Sequence, residues 1–143
     1  MRANKKNILF FLLVFLFFIF IFYTNNLVRN IGVPLICNNG ISFGIPIRQT
    51  VIFFINGTVI LLLFFFTLFF YKNNIKISLI LTVITLGAIS NLLDRYIYGC
   101  IIDFIQLPVY KGFYFNTADI YITLGGFLFI PPWYKCAQTV RNK

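Results

Sequence analysis

Residues 51–71 read VIFFINGTVILLLFFFTLFFY, an uncharged stretch whose length matches the roughly 20 residues that a helix needs to cross a bilayer. Three further apolar stretches lie at residues 8–27, 77–93 and 118–134. Of the 143 residues, 60% are hydrophobic and 10% are charged, whereas an ordinary soluble domain has roughly 25% charged residues. We therefore expect an all-α membrane protein with four transmembrane helices in a single domain, residues 1–143.

The first apolar stretch also begins like a cleaved signal peptide, because Lys5 and Lys6 precede it. It is long and rich in Phe, and no pair of small residues of the kind that marks a cleavage site follows it; the next residues read Thr24-Asn25-Asn26-Leu27-Val28. We therefore expect a retained span.

The Pro131-Pro132 pair is expected to end the fourth helix, with Trp133 and Tyr134 at the level of the lipid headgroups.

The positive charges lie where the four spans would leave the membrane. The larger group falls in the N-terminal segment, the turn between the second and third spans and the C-terminal tail: Arg2, Lys5, Lys6, Lys72, Lys76, Lys135, Arg141 and Lys143. The smaller group falls in the two longer loops: Arg29, Arg48, Arg95 and Lys111. Because cytoplasmic segments carry the excess of Lys and Arg, both termini are expected in the cytoplasm, and the loops at residues 25–50 and 94–117 outside it. Charges dispersed in this way do not form the basic face of a nucleic-acid-binding protein, so no nucleic-acid partner is expected.

All three acidic residues lie between positions 94 and 119. Asp94 closes the third span and Asp119 opens the fourth, so two antiparallel helices would bring both carboxylates to the same outer edge of the membrane. Asp119 could also be a first-turn acid favoured by the helix dipole, whereas Asp94 faces the unfavourable end of its own helix. Ionisable groups at membrane depth tend to mark functional sites. Asp103, in the middle of the loop, is expected to anchor that loop by hydrogen bonds.

Two carboxylates in a site of low dielectric share one proton and titrate as a pair. The ionised member can take a proton from water while the protonated member polarises a carbonyl group, as in aspartic proteases. Asp94 is predicted to be the protonated member.

The absence of His excludes Ser-His-Asp systems and His-based zinc sites, and no metal or cofactor is expected. The three isolated cysteines, Cys37, Cys100 and Cys136, are interpreted as small apolar residues filling space.

Two motifs resemble those of the lipoprotein signal peptidases (signal peptidase II), which are intramembrane aspartyl proteases of bacteria. The first runs from Gly87 to Arg95 as GAISNLLDR, with Ser90 in place of the usual glycine, and continues through Gly99 and Ile102-Asp103-Phe104. The second is Phe115-Asn116-Thr117-Ala118-Asp119, followed by Gly125. A looser match covers Asn38-Asn39-Gly40-Ile41-Ser42-Phe43-Gly44 in the first outer loop.

The resemblance implies that Asp94 and Asp119 are the catalytic dyad. It also implies that Asn91, Arg95 and Asn116 line the site and orient the dyad or the substrate, and that Asn38 contacts the substrate main chain. Gly40, Gly99 and Asp103 are expected to be structural. Two features depart from the family pattern: Asn25 and Arg29 stand where Asp and Lys are usual, and no proline precedes Phe115.

The same resemblance implies an endopeptidase in the bacterial cytoplasmic (inner) membrane, with its site at the extracytoplasmic face. Its substrate would be a diacylglyceryl-modified prolipoprotein, cut just before the lipidated cysteine, with membrane lipid around it. Inhibition by a cyclic peptide such as globomycin is also implied. In this family the first outer loop forms a small β-cradle and the second contains a short interfacial helix; the alternation in Ile41–Ile47 is compatible with a strand.

Two other kinds of protein fit the composition. One is a small tetraspan carrier that binds an ion or a proton with the three acids, although such sites usually lie near the bilayer midplane at broken helices. The other is a membrane scaffold without catalysis, which would not require Asp94 at an unfavourable helix end.

Overall fold

The computed structural model describes the backbone of residues 5–30, 34–41, 45, 47–110 and 112–141, and the side chains of the same ranges except residues 5–11, 13, 22, 25, 26, 29, 30 and 131–141. Within these ranges the chain forms four long helices and four short strands. The helices are α1 (Lys5–Asn30), α2 (Gln49–Asn73), α3 (Ile75–Tyr98) and α4 (Thr117–Arg141). The strands are β1 (Ile36–Asn38), β2 (Ile101–Asp103), β3 (Ile105–Gln106) and β4 (Tyr114–Phe115).

Within the described part of the chain, α2 and α3 are long and apolar enough to cross a membrane, and the apolar part of α4, Thr117–Ile130, is shorter. The outer face of α2 carries large exposed apolar side chains, and Phe54 is 75% exposed. Apolar surface of this extent needs lipid or a partner to cover it.

The expected end of α4 at Pro131 and Pro132 is wrong, because the helical backbone continues to Arg141. Proline removes a hydrogen-bond donor but holds φ at a helical value, so the backbone can continue without leaving the helical region. The expected headgroup positions of Trp133 and Tyr134 concern side chains outside the described ones.

A single residue, Asn74, separates α2 from α3 and caps both helices. Its N–H donates to the Phe70 carbonyl at 2.7 Å, and its Oδ1 accepts from the Ile77 N–H at 3.3 Å. Phe70, Ile77 and Leu81 form a buried apolar cluster beside this turn. The capping asparagine therefore produces a tighter antiparallel hairpin than the turn of about five residues that the lysine spacing indicates.

Helix α3 lies at the centre and packs against the other three helices. Its contact with α4 depends on glycine: a Cβ built on Gly87 would lie 2.9 Å from the carbonyl oxygen of Ala118 and 2.9 Å from Ile122 Cγ1. At that distance the neighbouring backbone would have to move. Gly87 therefore allows the start of α4 to approach α3 directly.

Two small antiparallel sheets cover one end of the helices. β1 pairs with β2, with Ile36 opposite Asp103 and Asn38 opposite Ile101. β3 pairs with β4, with Ile105 opposite Phe115. The expected cradle of strands is present, but the strand of the first loop precedes Ile41–Ile47, and residues 42–44 and 46 lie outside the described part.

The described part of the second loop, residues 99–110 and 112–116, contains strands and turns in place of the expected interfacial helix. Hydrogen bonds from the Tyr110 N–H to the Leu107 carbonyl and from the Phe113 N–H to the Tyr110 carbonyl, both 3.2 Å, close the tip. Pro108 lacks an N–H, and the β-branched residues before it favour extended backbone, so the segment folds as a hairpin.

Cys37 and Cys100 form a disulfide across the β1–β2 sheet, at a sequence separation of 63 residues. The interpretation of these two cysteines as apolar filler is therefore wrong. Closing a loop of this length stabilises a folded chain by about 4 kcal/mol in the chain-entropy model. The side chain of Cys136 lies outside the described ones.

Candidate active site

Asn116 and Asp119 are joined by a reciprocal pair of hydrogen bonds at the start of α4. The Asp119 N–H donates to Asn116 Oδ1 at 3.1 Å, and the Asn116 N–H donates to Asp119 Oδ2 at 3.2 Å. This arrangement is a capping box, which satisfies two backbone donors of the first turn. It holds the Asp119 carboxylate at the helix end where the dipole favours negative charge.

Asn91 connects this helix end to α3. Its Nδ2 donates to Asp119 Oδ1 at 2.8 Å, and its Oδ1 accepts from Asn116 Nδ2 at 3.0 Å. Asn91 follows Gly87 by one helical turn and so lies on the same face of α3, where the two helices come closest. Close glycine packing and an amide bridge together fix the position of Asp119.

Asp103, at the end of β2, is the second carboxylate of the cluster. It is 2% exposed, and it accepts hydrogen bonds from Asn116 Nδ2 at 3.2 Å and from Asn38 Nδ2 at 3.1 Å. Asn116 thus donates to both carboxylates, to that of Asp103 from its side-chain amide and to that of Asp119 from its backbone N–H.

Burial raises the pKa of Asp103 to about 6, and the negative charge of Asp119 acts in the same direction. The hydrogen bonds from Asn38 and Asn116 and the positive charge of Arg95 lower this pKa and so offset part of the rise. The neutral form of Asp103 is therefore accessible near neutral pH.

Arg95 lies one helical turn beyond Asn91 and is 3% exposed. Its Nη2 donates to the carbonyl oxygen of Gly40. Its Nε and Nη1 are buried and have no hydrogen-bond partner among the described residues. A buried guanidinium with two such donors can bind a carbonyl or carboxylate oxygen of a ligand.

These polar residues line one end of a cavity of about 680 Å³. The polar lining comprises Asn38, Asn91, Arg95, Asp103 and Asp119. The cavity continues between α2, α3 and α4 along apolar residues, namely Val59, Leu63, Ile84, Ala88, Ile122 and Leu124, with Asn56 and Thr123 among them. A cavity of this kind suits a ligand with a peptide-like part and a hydrocarbon part.

Asp94 is the carboxylate that was predicted to pair with Asp119. It is buried, at 6% exposure, but it is not among the residues that line the cavity. Asp103, which we expected only to anchor its loop, lines the cavity and shares Asn116 with Asp119. The structure therefore brings Asp103, Asp119, Asn91, Asn116 and Asn38 together.

The second loop reaches this site through a left-handed turn. Gly99 ends α3 with φ of 76°, and its N–H donates to the Arg95 carbonyl at 3.0 Å. A residue with a side chain would be strained there.

Within the described part of the chain, no group of three or more His, Cys, Asp or Glu side chains is placed to hold a metal ion.

The model of the signal peptidase II family matches residues 17–134, most of the chain. The chain belongs to the signal peptidase II family.

Curated members of the signal peptidase II family are similar to this chain in sequence, in agreement with the assignment. The chain is 34% identical over 93 residues to the lipoprotein signal peptidase of Syntrophomonas wolfei, and 32% identical over 109 residues to that of Chlorobium phaeobacteroides. The first match covers 65% of this chain and 61% of the relative, so it spans less than two thirds of that protein. The second covers 68% of each chain.

Solved structures show the same fold. A bacterial membrane enzyme solved by the in meso method at 2.3 Å resolution superposes with a TM-score of 0.71 at 22% identity, covering 96% of this chain and 92% of that chain. A second such enzyme structure, at 1.9 Å resolution, has a TM-score of 0.70 and covers 92% and 94%. The mostly helical fold with small sheets is thus shared with membrane enzymes.

Asn25 and Arg29, which depart from the pattern of the signal peptidase II family, lie in α1, and their side chains are outside the described ones. Residues 42–44 of the looser match in the first loop also lie outside the described part. One cavity residue that the sequence analysis missed is Asn56, an isolated amide in α2. A lone polar residue in an apolar span was the signal that could have indicated it.

Proposed function

We propose that this protein is an endopeptidase that removes the signal peptide from diacylglyceryl-modified prolipoproteins, cutting before the lipidated cysteine. One observation carries the proposal: Asn116 hydrogen-bonds both Asp103 and Asp119 at the polar end of a cavity that is otherwise mostly apolar. Membership of the signal peptidase II family supports the same activity.

The geometry favours Asp103 over Asp94 as the partner of Asp119. Asp103 and Asp119 both line the cavity, and the negative charge of Asp119 raises the pKa of Asp103. Asp94 lies outside the lining, although it is on the same helix as Asn91. We therefore assign the two reacting carboxyl groups to Asp103 and Asp119.

In this assignment the pair holds one proton, and Asp103 carries it because burial favours its neutral form. Asp119 takes a proton from water, and the resulting hydroxide attacks the carbonyl carbon of the scissile peptide bond. Asp103 gives its proton to the carbonyl oxygen, so a tetrahedral intermediate forms. As the intermediate collapses, Asp119 gives the proton that it took from water to the departing nitrogen, Asp103 takes a proton back from a hydroxyl group of the intermediate, and the C–N bond breaks to leave a carboxylic acid and an amine.

The remaining lining residues position the substrate. The peptide would lie across the polar end, where the free Nε and Nη1 donors of Arg95 can bind a main-chain carbonyl oxygen. The acyl chains would lie along the apolar end between α2, α3 and α4. This placement brings the bond before the lipidated cysteine close to Asp103 and Asp119.

We further propose that all four helices cross the cytoplasmic membrane, with both termini in the cytoplasm and the strands on the extracytoplasmic face. The distribution of Lys and Arg supports this orientation. The Cys37–Cys100 disulfide supports it independently, since disulfides persist on the oxidising side of a bacterial membrane.

The proposal is tested with the purified protein in lipid and two synthetic prolipoprotein peptides that differ only in the diacylglyceryl group. We expect cleavage before the cysteine of the lipidated peptide and at least about 100-fold slower cleavage of the plain one, since the acyl chains supply binding energy. Globomycin should inhibit the reaction. Equal cleavage of both peptides would contradict the proposed substrate, and cleavage of neither would contradict the proposed activity.

A further inference from the structure

The disulfide between Cys37 and Cys100 lies beside the candidate site without belonging to it. Cys37 is in the middle of β1, opposite Ile102, and Cys100 directly precedes β2. The bond therefore connects the first outer loop to the segment that carries Asp103. The two cysteines differ in burial, since Cys100 is buried and Cys37 is exposed.

Strand β1 has little else to hold it in place. It has three residues, and Ile36 is exposed. A short two-stranded ribbon is marginally stable in water, and the buried residues of this one, Ile101 and Asp103, belong to β2 and not to β1. The partner strand is more than sixty residues away in the sequence, so pairing also costs loop-closure entropy. The covalent bond removes most of that cost.

The residues that follow Cys37 contact the site directly. Asn38 Nδ2 donates to Asp103 Oδ2 at 3.1 Å, and Asn38 Oδ1 accepts from the Gly40 N–H at 3.0 Å. The Gly40 carbonyl in turn accepts from Arg95. The position of β1 therefore determines whether Asn38 can donate to Asp103 and how the Arg95 guanidinium is oriented.

We propose that the Cys37–Cys100 disulfide is a redox-sensitive positioning element: when oxidised it holds Asn38 and Gly40 against Asp103 and Arg95, and when reduced it releases them and slows cleavage. The inference rests on the proposed function for its effect on cleavage. Its effect on β1 is independent of that function.

The redox step is ordinary thiol–disulfide exchange. A dithiol reductant passes two electrons and two protons to the S–S bond, which leaves two thiols and one oxidised dithiol. The reverse reaction transfers the electrons and protons to a protein disulfide of the extracytoplasmic compartment. Because Cys37 is the exposed residue of the pair, we expect the reductant to attack its sulfur.

Reduction should also change the pH dependence of the site. The groups that face Asp103 are Asn38 on β1, Asn116 beside α4, and the charged Asp119 and Arg95. The hydrogen bond from Asn38 lowers the pKa of Asp103, so its loss raises that pKa further. The pH at which Asp103 loses its proton then moves upward.

The test compares the oxidised protein with the same protein in dithiothreitol and with Cys37→Ser and Cys100→Ser, using Cys136→Ser as the matched control. We expect reduction or either substitution to lower kcat about tenfold, with a smaller change in KM, because orientation of the reacting groups is lost. Re-oxidation should restore the reduced wild type. Dithiothreitol should not affect the two serine variants further, and Cys136→Ser should behave as the wild type.

Hydrogen–deuterium exchange at residues 36–40 supplies a readout that needs no substrate. We expect faster exchange in the reduced protein and in Cys37→Ser than in the oxidised protein. Unchanged exchange and unchanged kcat would overturn the inference, as would free thiols at both positions in protein prepared without reductant. If the oxidised wild type cleaves no peptide, the proposed function fails, and the exchange experiment alone decides whether the disulfide positions β1.

Discussion

The side-chain amide nitrogen of Asn116 lies 3.2 Å from Oδ1 of Asp103. The same residue caps α4 through Asp119, so one asparagine connects a strand of the second loop to the first turn of a helix. Since Asn116 is fully buried, its hydrogen bonds are shielded from water. The relative position of the two carboxylates therefore depends on Asn116.

Replacing Asn116 separates its two roles. Asn116→Ala removes the helix cap and the contact with Asp103, so we expect kcat to fall about 100-fold and stability to fall by about 1 kcal/mol. Asn116→Ser is the matched control, because serine can cap α4 but is too short to reach Asp103. Asn116→Ser should have a thermal midpoint close to that of the wild type, but its kcat should stay as low as that of Asn116→Ala. Recovery of both by serine would contradict the role given to the amide.

Arg95 should act on substrate binding through the donors that the folded protein leaves unused. Lysine keeps the charge but lacks the planar fork, so Arg95→Lys should lose the contact with Gly40 or the contact with the substrate carbonyl. We expect kcat/KM to fall about 10- to 100-fold, measured on the lipidated peptide. A variant with wild-type kcat/KM would show that charge alone is sufficient at this position.

The close approach of α3 and α4 requires Gly87. In Gly87→Ala the added methyl would meet the Ala118 carbonyl, so we expect a loss of about 1–3 kcal/mol in stability and slower cleavage as the Asn91–Asp119 bond shifts. Gly57→Ala in α2 is the control, because nothing lies within 4 Å of a Cβ at that position. It should leave the thermal midpoint unchanged or raised, and similar losses in both variants would contradict this account of the packing.

Asp103 should make folding stability depend on pH. Its pKa is about 6 in the folded protein against 3.8 as the ordinary value, so the folded state binds more protons between these two values. Stability should therefore fall as the pH rises from about 4 to 6, by about 2–3 kcal/mol for this group. Thermal unfolding of the wild type and of Asp103→Asn at pH 4, 5, 6 and 7 isolates the contribution. A difference between them that does not vary with pH would contradict the raised pKa.

Parts of the fold and the site followed from sequence because they are local. The apolar stretches predicted helices, and Asp119 was expected at the start of the fourth helix, where it lies in the first turn. Asn91 was predicted to line the site, and it contacts Asp119. The turn at Asn74 could not be predicted from the positions of charged residues. Lysines on both sides of it indicated a turn of several residues, whereas Asn74 alone caps the end of α2 and the start of α3.

The position of Asp103 could not be predicted in the same way. It depends on the left-handed turn at Gly99 and on pairing between β1 and β2, which are far apart in the chain. The predicted helix ends favoured Asp94, because that residue closes the third apolar stretch. Helix ends do not show that the loop after Gly99 folds back and brings Asp103 next to Asn116. The disulfide was missed for a related reason: two cysteines in different outer loops pair only once the strands are in register.

The most direct test of the account is the rate of cleavage of the lipidated peptide by Asp94→Asn, Asp103→Asn and Asp119→Asn, each shown to be folded by its thermal midpoint. We predict that Asp103→Asn and Asp119→Asn lose at least about 1,000-fold in kcat and that Asp94→Asn stays within about tenfold of the wild type. Loss of activity in Asp94→Asn with cleavage preserved in Asp103→Asn would contradict the assignment of the reacting pair.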